Sequence, residues 1–364
     1  FQWLELIGPI YTFPVISFFG ILTNLLVILS IANKKNESTL NPTDDSKRMF
    51  HYLLINSVFN ILECLLSSFT LMSECLGMGS VFCSQVMLNI NTQYFKIYGV
   101  GYVGEVLKTC SVLIMLLFSL ERYRISAAKE NTFLTKLGSL HLKWMTLIVV
   151  IYSGLKSANK IKEYNIERSY LAQVEFPSIN IFELLNKRQW FWLSLYSIHY
   201  VVNDFILLAV NLFIDIMLVR KVRGDLKVKA KFLIKNYTRN GTNKSTQTAQ
   251  NKLIDDQFVQ SMNKISKAEV NTIKMIVYQF MLYIFCRLPE LILYISFLFL
   301  ISPTYYLITV HFAPFSVNVV NYLYVLSYSF NLFFYLKFNK NFRDSFKNQF
   351  MPCCIQKKDP KAKQ

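Results

Sequence analysis

Seven long apolar stretches limit this chain to a membrane-embedded fold. A helix needs about 20 consecutive apolar residues to cross the hydrocarbon core of a bilayer. The stretches cover approximately residues 9–32, 51–73, 95–120, 142–156, 190–218, 275–300 and 304–335. The fourth is the shortest and is expected to lengthen into its polar flanks. The pattern predicts an all-α membrane protein, a seven-transmembrane helix bundle whose two termini face opposite sides.

Lysine and arginine are concentrated between the apolar stretches. The chain carries a net charge of +17, and its basic residues gather at about 220–273 and after Tyr335, whereas residues 74–91 contain none. Positively charged connections stay on the cytoplasmic side of a membrane. We therefore predict a multi-pass plasma-membrane protein with an extracellular N-terminus and a cytoplasmic C-terminus. Its transmembrane domain covers residues 1–336, with a long third inner loop at about 220–273, and its cytoplasmic tail covers 337–364.

The third apolar stretch ends on an acid, a base and a tyrosine. Glu121, Arg122 and Tyr123 follow the run from Ser111 to Leu120, at the predicted cytoplasmic end of a span. Charged side chains can reach water and lipid headgroups there at reduced cost. The triplet is therefore either a set of ordinary interfacial anchors or part of an intracellular switch.

Within seven spans of this orientation, the triplet resembles the Asp/Glu-Arg-Tyr motif of rhodopsin-like G-protein-coupled receptors. Further positions match that family in order along essentially the whole chain. They are Asn24 in the first span, Asn60 in the second, Trp144 in the fourth, Pro289 in the sixth, and the NLFFY run from Asn331 to Tyr335 in the seventh. The chain resembles a divergent member, and aromatic residues near the outer ends of its spans suit the neuropeptide-receptor type.

The resemblance implies signalling without catalysis, metal or cofactor. Glu121 would hold Arg122 in the resting state, and an outward swing of the sixth helix about a kink at Pro289 would release it. Asn331 and Tyr335 would help to hold the active arrangement. The implied partners are a heterotrimeric G protein and an extracellular ligand, either a peptide or a small cationic molecule.

The residues after the seventh stretch suit a membrane surface. The FNKNFRDSF run resembles the family's short amphipathic eighth helix, with Phe338, Phe342 and Phe346 on one apolar side. Its basic residues would attract anionic lipid headgroups. Cys353 and Cys354 follow in a position that suits palmitoylation.

Several positions depart from the family pattern. The third-span cysteine of the family's disulfide is replaced by Ile97, and the connection before the fifth span contains no cysteine. Cys75 and Cys83 flank the first outer loop, where they form either a local disulfide or two free thiols. Arg287 replaces the tryptophan of the sixth span, and Leu332 replaces the proline of the seventh.

Ionisable residues recur at a similar depth in four of the predicted spans. Glu105 and Lys108 are three residues apart, as are Arg287 and Glu290, so each pair shares a helix face. Charges inside a span are stabilised when they face the interior, where they pair or meet water. The predicted polar layer comprises Asn60, Glu63, Glu105, Lys108, Asp204, Arg287 and Glu290. Its four acids and two bases sum to minus two, so the layer either floors a pocket for a cationic group or forms a structural network that needs no ligand.

Other functions explain fewer of these features. The alternative is a seven-helix ligand-gated ion channel of the insect odorant-receptor kind, which would place the N-terminus inside and which glycosylation at Asn236 would favour. An enzyme or a metal site is disfavoured because the four histidines are scattered and no cysteine pair has metal-ligand spacing. A nucleic-acid partner is disfavoured because the basic residues flank predicted spans. An opsin would need a seventh-span lysine, and residues 304–336 contain none.

Overall fold

The structure is a computed structural model that describes part of each predicted span. The described residues are 11–34, 44–69, 75–76, 82–83, 89–127, 141–158, 160–169, 174–179, 194, 198, 201, 206–241, 319–338 and 340–350, with 270–292 except 272, 276, 280, 283, 290 and 291. These residues are almost entirely helical.

The described helices are numbered here in chain order. They are α1 (Phe13–Lys34), α2 (Asp44–Ser68), α3 (Ile90–Tyr94), α4 (Gly104–Ala127), α5 (Leu142–Ser157), α6 (Lys160–Glu163), α7 (Leu207–Gly241), α8 (Asn331–Phe338) and α9 (Lys340–Phe350). A π-helix at Phe95–Val103 joins α3 to α4. Residues 319–329 form a helix that continues through a turn at Phe330 into α8, and residues 270–289 are helical wherever they are described. We call the latter the 270–289 helix.

Among the described residues, four helical segments are long and apolar enough to cross a membrane. They are Phe13–Ala32, Arg48–Ser68, Ile90–Ile125 and Val319–Phe338, and they coincide with the first, second, third and seventh predicted stretches. The fourth stretch corresponds to α5, whose 16 residues do not lengthen as predicted and span about 24 Å. The described residues thus form a mainly helical architecture compatible with a membrane protein.

The helix of the fifth predicted stretch continues into the predicted loop. α7 runs to Gly241, so the beginning of the loop at about 220–273 is helical. Lysine, arginine, leucine and alanine, which favour helices, dominate the sequence RKVRGDLKVKAKFLIK that starts at Arg220. The prediction of a loop is therefore wrong for residues 220–241, which are helical.

Two short antiparallel strand pairs depart from the predicted all-α fold. β1 (Cys75–Leu76) pairs with β2 (Phe82–Cys83), and β3 (Tyr164–Ser169) pairs with β4 (Val174–Ile179). The second pair is formed by YNIERS and VEFPSI, in which aromatic and β-branched residues favour strands. Both pairs lie in connections between predicted spans and leave the helices intact.

α4 packs against three of the other described helices. It lies against α2, α5 and α7, and α1 packs on α2. Gly20 permits the close approach of α1 to α2, because a Cβ at that position would lie 2.7 Å from the Sγ atom of the buried Cys64. The core cluster at the centre of this packing includes Val27, Tyr52 and Ile114.

The amphipathic helix expected after the last span is present as α9. It packs against α1, and its Phe342 is buried against Tyr335, with ring centroids 5.7 Å apart. Phe338 and Phe346 pack on the same core cluster. The apolar side of α9 therefore attaches the beginning of the tail to the helical core.

Candidate functional site

A polar cavity lies between α4, α7, the 270–289 helix and the helix that ends in α8. Its volume is about 70 Å³, which is enough for a few water molecules. Ser111, Met115, Ser119 and Arg122 line it from α4, at spacings that place them on one helix face. The polar lining from other helices comprises Asn56, Asn211, Asp215, Gln279, Arg287, Ser327, Tyr328 and Asn331.

Several polar atoms of this lining lack a protein partner. The Nδ2 atom of Asn56, the Oδ1 atom of Asn211 and the Nε2 atom of Gln279 are buried and make no hydrogen bond among the described residues. Buried polar groups of this kind are normally satisfied by ordered water. The set contains both donors and an acceptor, so water suits it better than an ion of either sign. The polar lining of the cavity therefore suits bound water.

The acid and the base of the triplet point to different surroundings. Glu121 accepts two hydrogen bonds from Arg124, with 2.7 Å from Nη2 to Oε1 and 3.2 Å from Nε to Oε2. Its Oε1 atom also lies 3.8 Å from Nε of Arg48 on α2. Arg122 lines the cavity instead, with Cζ 5.0 Å from the ring centroid of Phe118.

Glu121 therefore does not hold Arg122, contrary to the expectation that the resemblance raised. Consecutive residues of an α-helix point about 100° apart, whereas residues three apart share a face. Arg124 satisfies that spacing, and Arg48 approaches from the neighbouring helix. The carboxylate of Glu121 stabilises the contact of α4 with α2, and Tyr123 is half-buried beside it.

Residues of α8 approach Arg122. Asn331 lines the same cavity, and the buried Tyr335, one turn further along α8, lies within electrostatic range of the Arg122 guanidinium. Pro289 is helical and half-buried, and it follows the cavity-lining Arg287 by two residues. The structure thus brings Arg122, Asn331 and Tyr335 together and leaves Pro289 outside the lining.

Four members of the predicted polar layer come together. Lys108 Nζ lies 4.0 Å from Glu105 Oε2. The Tyr324 ring lies beside both cations, with its centroid 4.2 Å from Lys108 Nζ and 3.1 Å from Arg287 Cζ. Such contacts let an aromatic ring stabilise a cation away from water. Glu63 lies within electrostatic range of these three charged residues.

The carboxylate of Glu63 lies against α4 at Gly104. A Cβ at Gly104 would lie 3.4 Å from Glu63 Oε2, an oxygen that is buried and accepts no hydrogen bond among the described residues. Ser67 donates to the other oxygen at 3.4 Å. The formal charges of the two acids and two bases described here sum to zero. The other two acids of the predicted layer, Asp204 and Glu290, lie outside the described residues.

Asn60 belongs to a separate network rather than to the charged layer. Its Oδ1 atom lies 2.7 Å from Ser111 Oγ, which is also 2.9 Å from Asn56 Oδ1. Asn60 Nδ2 donates to Asn24 Oδ1 at 3.2 Å, and Asn24 Nδ2 in turn lies 3.4 Å from the carbonyl oxygen of Tyr328. These buried amides connect α1, α2, α4 and the helix at residues 319–329.

Of the two cysteine pairs singled out in the sequence, the structure describes Cys75 and Cys83. Cys75 and Cys83 lie directly opposite each other in the register of β1 and β2. Opposed residues of antiparallel strands have Cα atoms about 4.5–5.5 Å apart, a separation that a disulfide can bridge. The disulfide remains a prediction, which this register supports. Cys353 and Cys354 lie outside the described residues.

Sequence reasoning missed Asp215, Ser111 and Arg48. Asp215 carried a usable signal, because an acid inside the apolar run NLFIDIMLV marks a functional position by default. Ser111 resembled any small residue of a packed helix, and Arg48 resembled an ordinary residue at the start of a span. Their roles depend on which helix lies opposite, and sequence patterns carry little of that information.

Comparison with known proteins supplies no relative. No protein-family model matches the chain, and no curated protein matches it. The site therefore has to be interpreted from its own chemistry, which is a polar cavity lined by both Arg122 and Arg287.

Proposed function

We propose that this chain is a seven-helix receptor that binds an extracellular ligand and activates a heterotrimeric G protein. One observation carries the proposal: three residues that the family resemblance assigns to the switch come together from distant parts of the chain. Arg122 and Asn331 line one cavity, and Tyr335 lies within electrostatic range of Arg122. A chance resemblance in sequence gives no reason for these side chains to meet. The cavity also supplies the room that a rearrangement of helices requires.

In this proposal the receptor lies in the plasma membrane with its N-terminus outside. The distribution of lysine and arginine supports that orientation, and it places the triplet and α9 on the cytoplasmic side. Membrane lipids would contact the basic residues of α9, and palmitoylation of Cys353 and Cys354 would add a second attachment. Binding of the G protein would require the cavity around Arg122 to widen towards the cytoplasm.

Activation would separate the 270–289 helix from α4. Pro289 lacks the backbone N–H that a helix uses, so bending is easiest near this residue. Movement of the part of the 270–289 helix that precedes Pro289 would uncover Arg122. Asn331 and Tyr335 would then stabilise the displaced arrangement. A ligand drives such a change only when it binds the open state more tightly than the closed state.

The polar layer is the proposed contact for a cationic ligand, such as an amine or an arginine of a peptide. The described formal charges of the layer sum to zero, so its preference for a cation depends on the two further acids, Asp204 and Glu290. Glu105→Lys should lower agonist potency and leave surface expression intact, whereas Asp344→Lys, at an exposed site on α9, should change neither. An equal loss of expression in Glu105→Lys would identify the layer as a structural network.

The deciding experiment measures G-protein activation and second messengers in cells that express the wild type or Arg122→Ala. The ligands are basic, amidated peptides and amines. A response that the wild type shows and the mutant loses, at equal surface expression, supports the receptor. A ligand-evoked current that survives the substitution would contradict it and favour the channel of the insect odorant-receptor kind.

A further inference from the structure

Arg122 is a cation whose neighbouring acid is already engaged. Glu121 is occupied by Arg124 and Arg48. Arg122 itself packs on the Phe118 ring and forms no direct ion pair among the described residues. A guanidinium in a membrane-embedded bundle is costly unless another charge or water compensates it. A compensating group is therefore expected on a different helix.

Asp215 is placed to be that group. It lies on α7, across the cavity from α4, and among the described residues that line the cavity it is the one acid. Its electrostatic neighbours are Arg122 and Ser119, which share a face of α4 because they are three residues apart. Asn211, one turn before Asp215, faces the same cavity.

We propose that Asp215 is the counter-ion of Arg122, a positioning residue that fixes the guanidinium against α7 across the hydrated cavity. The two groups do not meet as a direct ion pair among the described contacts, so their attraction acts across the cavity, whose volume of about 70 Å³ leaves room for a bridging water. The pair connects two helices that are distant in sequence, unlike the local pair of Glu121 and Arg124. The inference concerns the residue central to the proposed function, but it holds whether or not the chain couples to a G protein.

A double-mutant cycle on the purified full chain in detergent tests the pairing. Asp215→Asn and Arg122→Gln should each lower the melting temperature by about 2–4 °C or more, and the double mutant should melt close to either single mutant. The cycle of Glu121→Gln with Arg122→Gln serves as the matched control and should be additive. Additive losses for Asp215 with Arg122 would overturn the proposal.

A distance measurement separates positioning from simple stabilisation. Spin labels at Ile125→Cys on α4 and Ile216→Cys on α7, both exposed, report the separation of the two helices. Asp215→Asn should broaden that distance distribution, and Asp215→Glu, which keeps the charge, should restore it. Asp344→Asn removes an exposed carboxylate from α9 as a control. An unchanged distribution in Asp215→Asn would contradict the positioning role.

The charge swap covers the case in which single variants fold poorly. Arg122→Asp combined with Asp215→Arg keeps one charge of each sign on the two helices. Recovery of folded protein above the level of both single variants supports the pairing. A swap that yields no more folded protein than the single variants counts against it.

Discussion

Glu121 and Arg124 form an ion pair with two hydrogen bonds on one face of α4, the shorter being 2.7 Å between Glu121 Oε1 and Arg124 Nη2. Arg122, the residue after Glu121, faces the cavity instead. Two adjacent charges of the triplet thus serve different contacts. Glu121 stabilises the packing of α4 against α2, whereas Arg122 contributes to the polar lining of the cavity. The two roles can be separated by experiment.

Glu121→Gln should destabilise the protein by about 3–5 kcal/mol, the range for removal of one partner of a buried ion pair. The side chains of Glu121 and Arg124 are only 6% and 15% exposed, so the remaining guanidinium groups of Arg124 and Arg48 would be left poorly compensated. Thermal unfolding of the purified chain measures the effect. A loss no larger than that of Asp344→Asn, at an exposed acid, would show that the pair is dispensable.

Gly20→Ala should destabilise the contact of α1 with α2 by about 1–3 kcal/mol, as overpacking of a core does. The added methyl group would lie 2.7 Å from the Sγ atom of the fully buried Cys64. Cys64→Ala in the same chain removes that atom and should recover much of the loss.

The matched control for this substitution is Gly224→Ala on α7. A Cβ at Gly224 meets nothing within 4 Å, so alanine should stabilise the helix by up to about 1 kcal/mol. Equal melting temperatures for Gly20→Ala and Gly224→Ala would contradict the close approach of α1 and α2.

Ser111→Ala should destabilise the protein by about 1–3 kcal/mol, because buried acceptors that lose their donor remain dehydrated. Ser111 Oγ lies 2.7 Å and 2.9 Å from the side-chain oxygens of Asn60 and Asn56. Ser68→Ala removes only a bond to the carbonyl oxygen of Cys64 within its own helix and should change the melting temperature much less. Similar losses in the two variants would argue against a special role for the amide network.

Cys75 and Cys83 should form a disulfide in protein that has passed through the secretory pathway, because the β1–β2 register places them opposite each other. Mass spectrometry of a digest prepared without reductant should find the two peptides linked. Alkylation of both thiols before reduction would contradict the expectation. Cys64, Cys110 and Cys286, which are buried and free, serve as internal controls for unpaired thiols.

Local physics explains which elements could be predicted from the sequence. Apolar stretches of sufficient length predicted the helices Phe13–Ala32, Arg48–Ser68, Ile90–Ile125 and Val319–Phe338, because each helix satisfies its own backbone groups wherever it packs. The spacing of Glu105 and Lys108 likewise predicted a pair on one face. Such features depend on residues within one or two turns.

Contacts between helices could not be predicted in the same way. The sequence placed Glu121 beside Arg122, but the rotation of the helix assigned the carboxylate to Arg124 and Arg48. Asn60, predicted in the charged layer, bonds Ser111 instead. These outcomes depend on helix rotation and on the partner helix, and many sequences with the same apolar pattern would resolve them differently.

Because α7 is long, a small tilt near Asp215 would move the far end of the helix by a large distance. From Asp215 to Gly241 the helix extends 26 residues, or about 39 Å. A tilt of roughly 10° about Asp215 would therefore carry the far end through about 7 Å, given that rise per residue. A small reorientation of α7 at the position of Asp215 would thus reach the basic end of the helix as a displacement that another protein could detect.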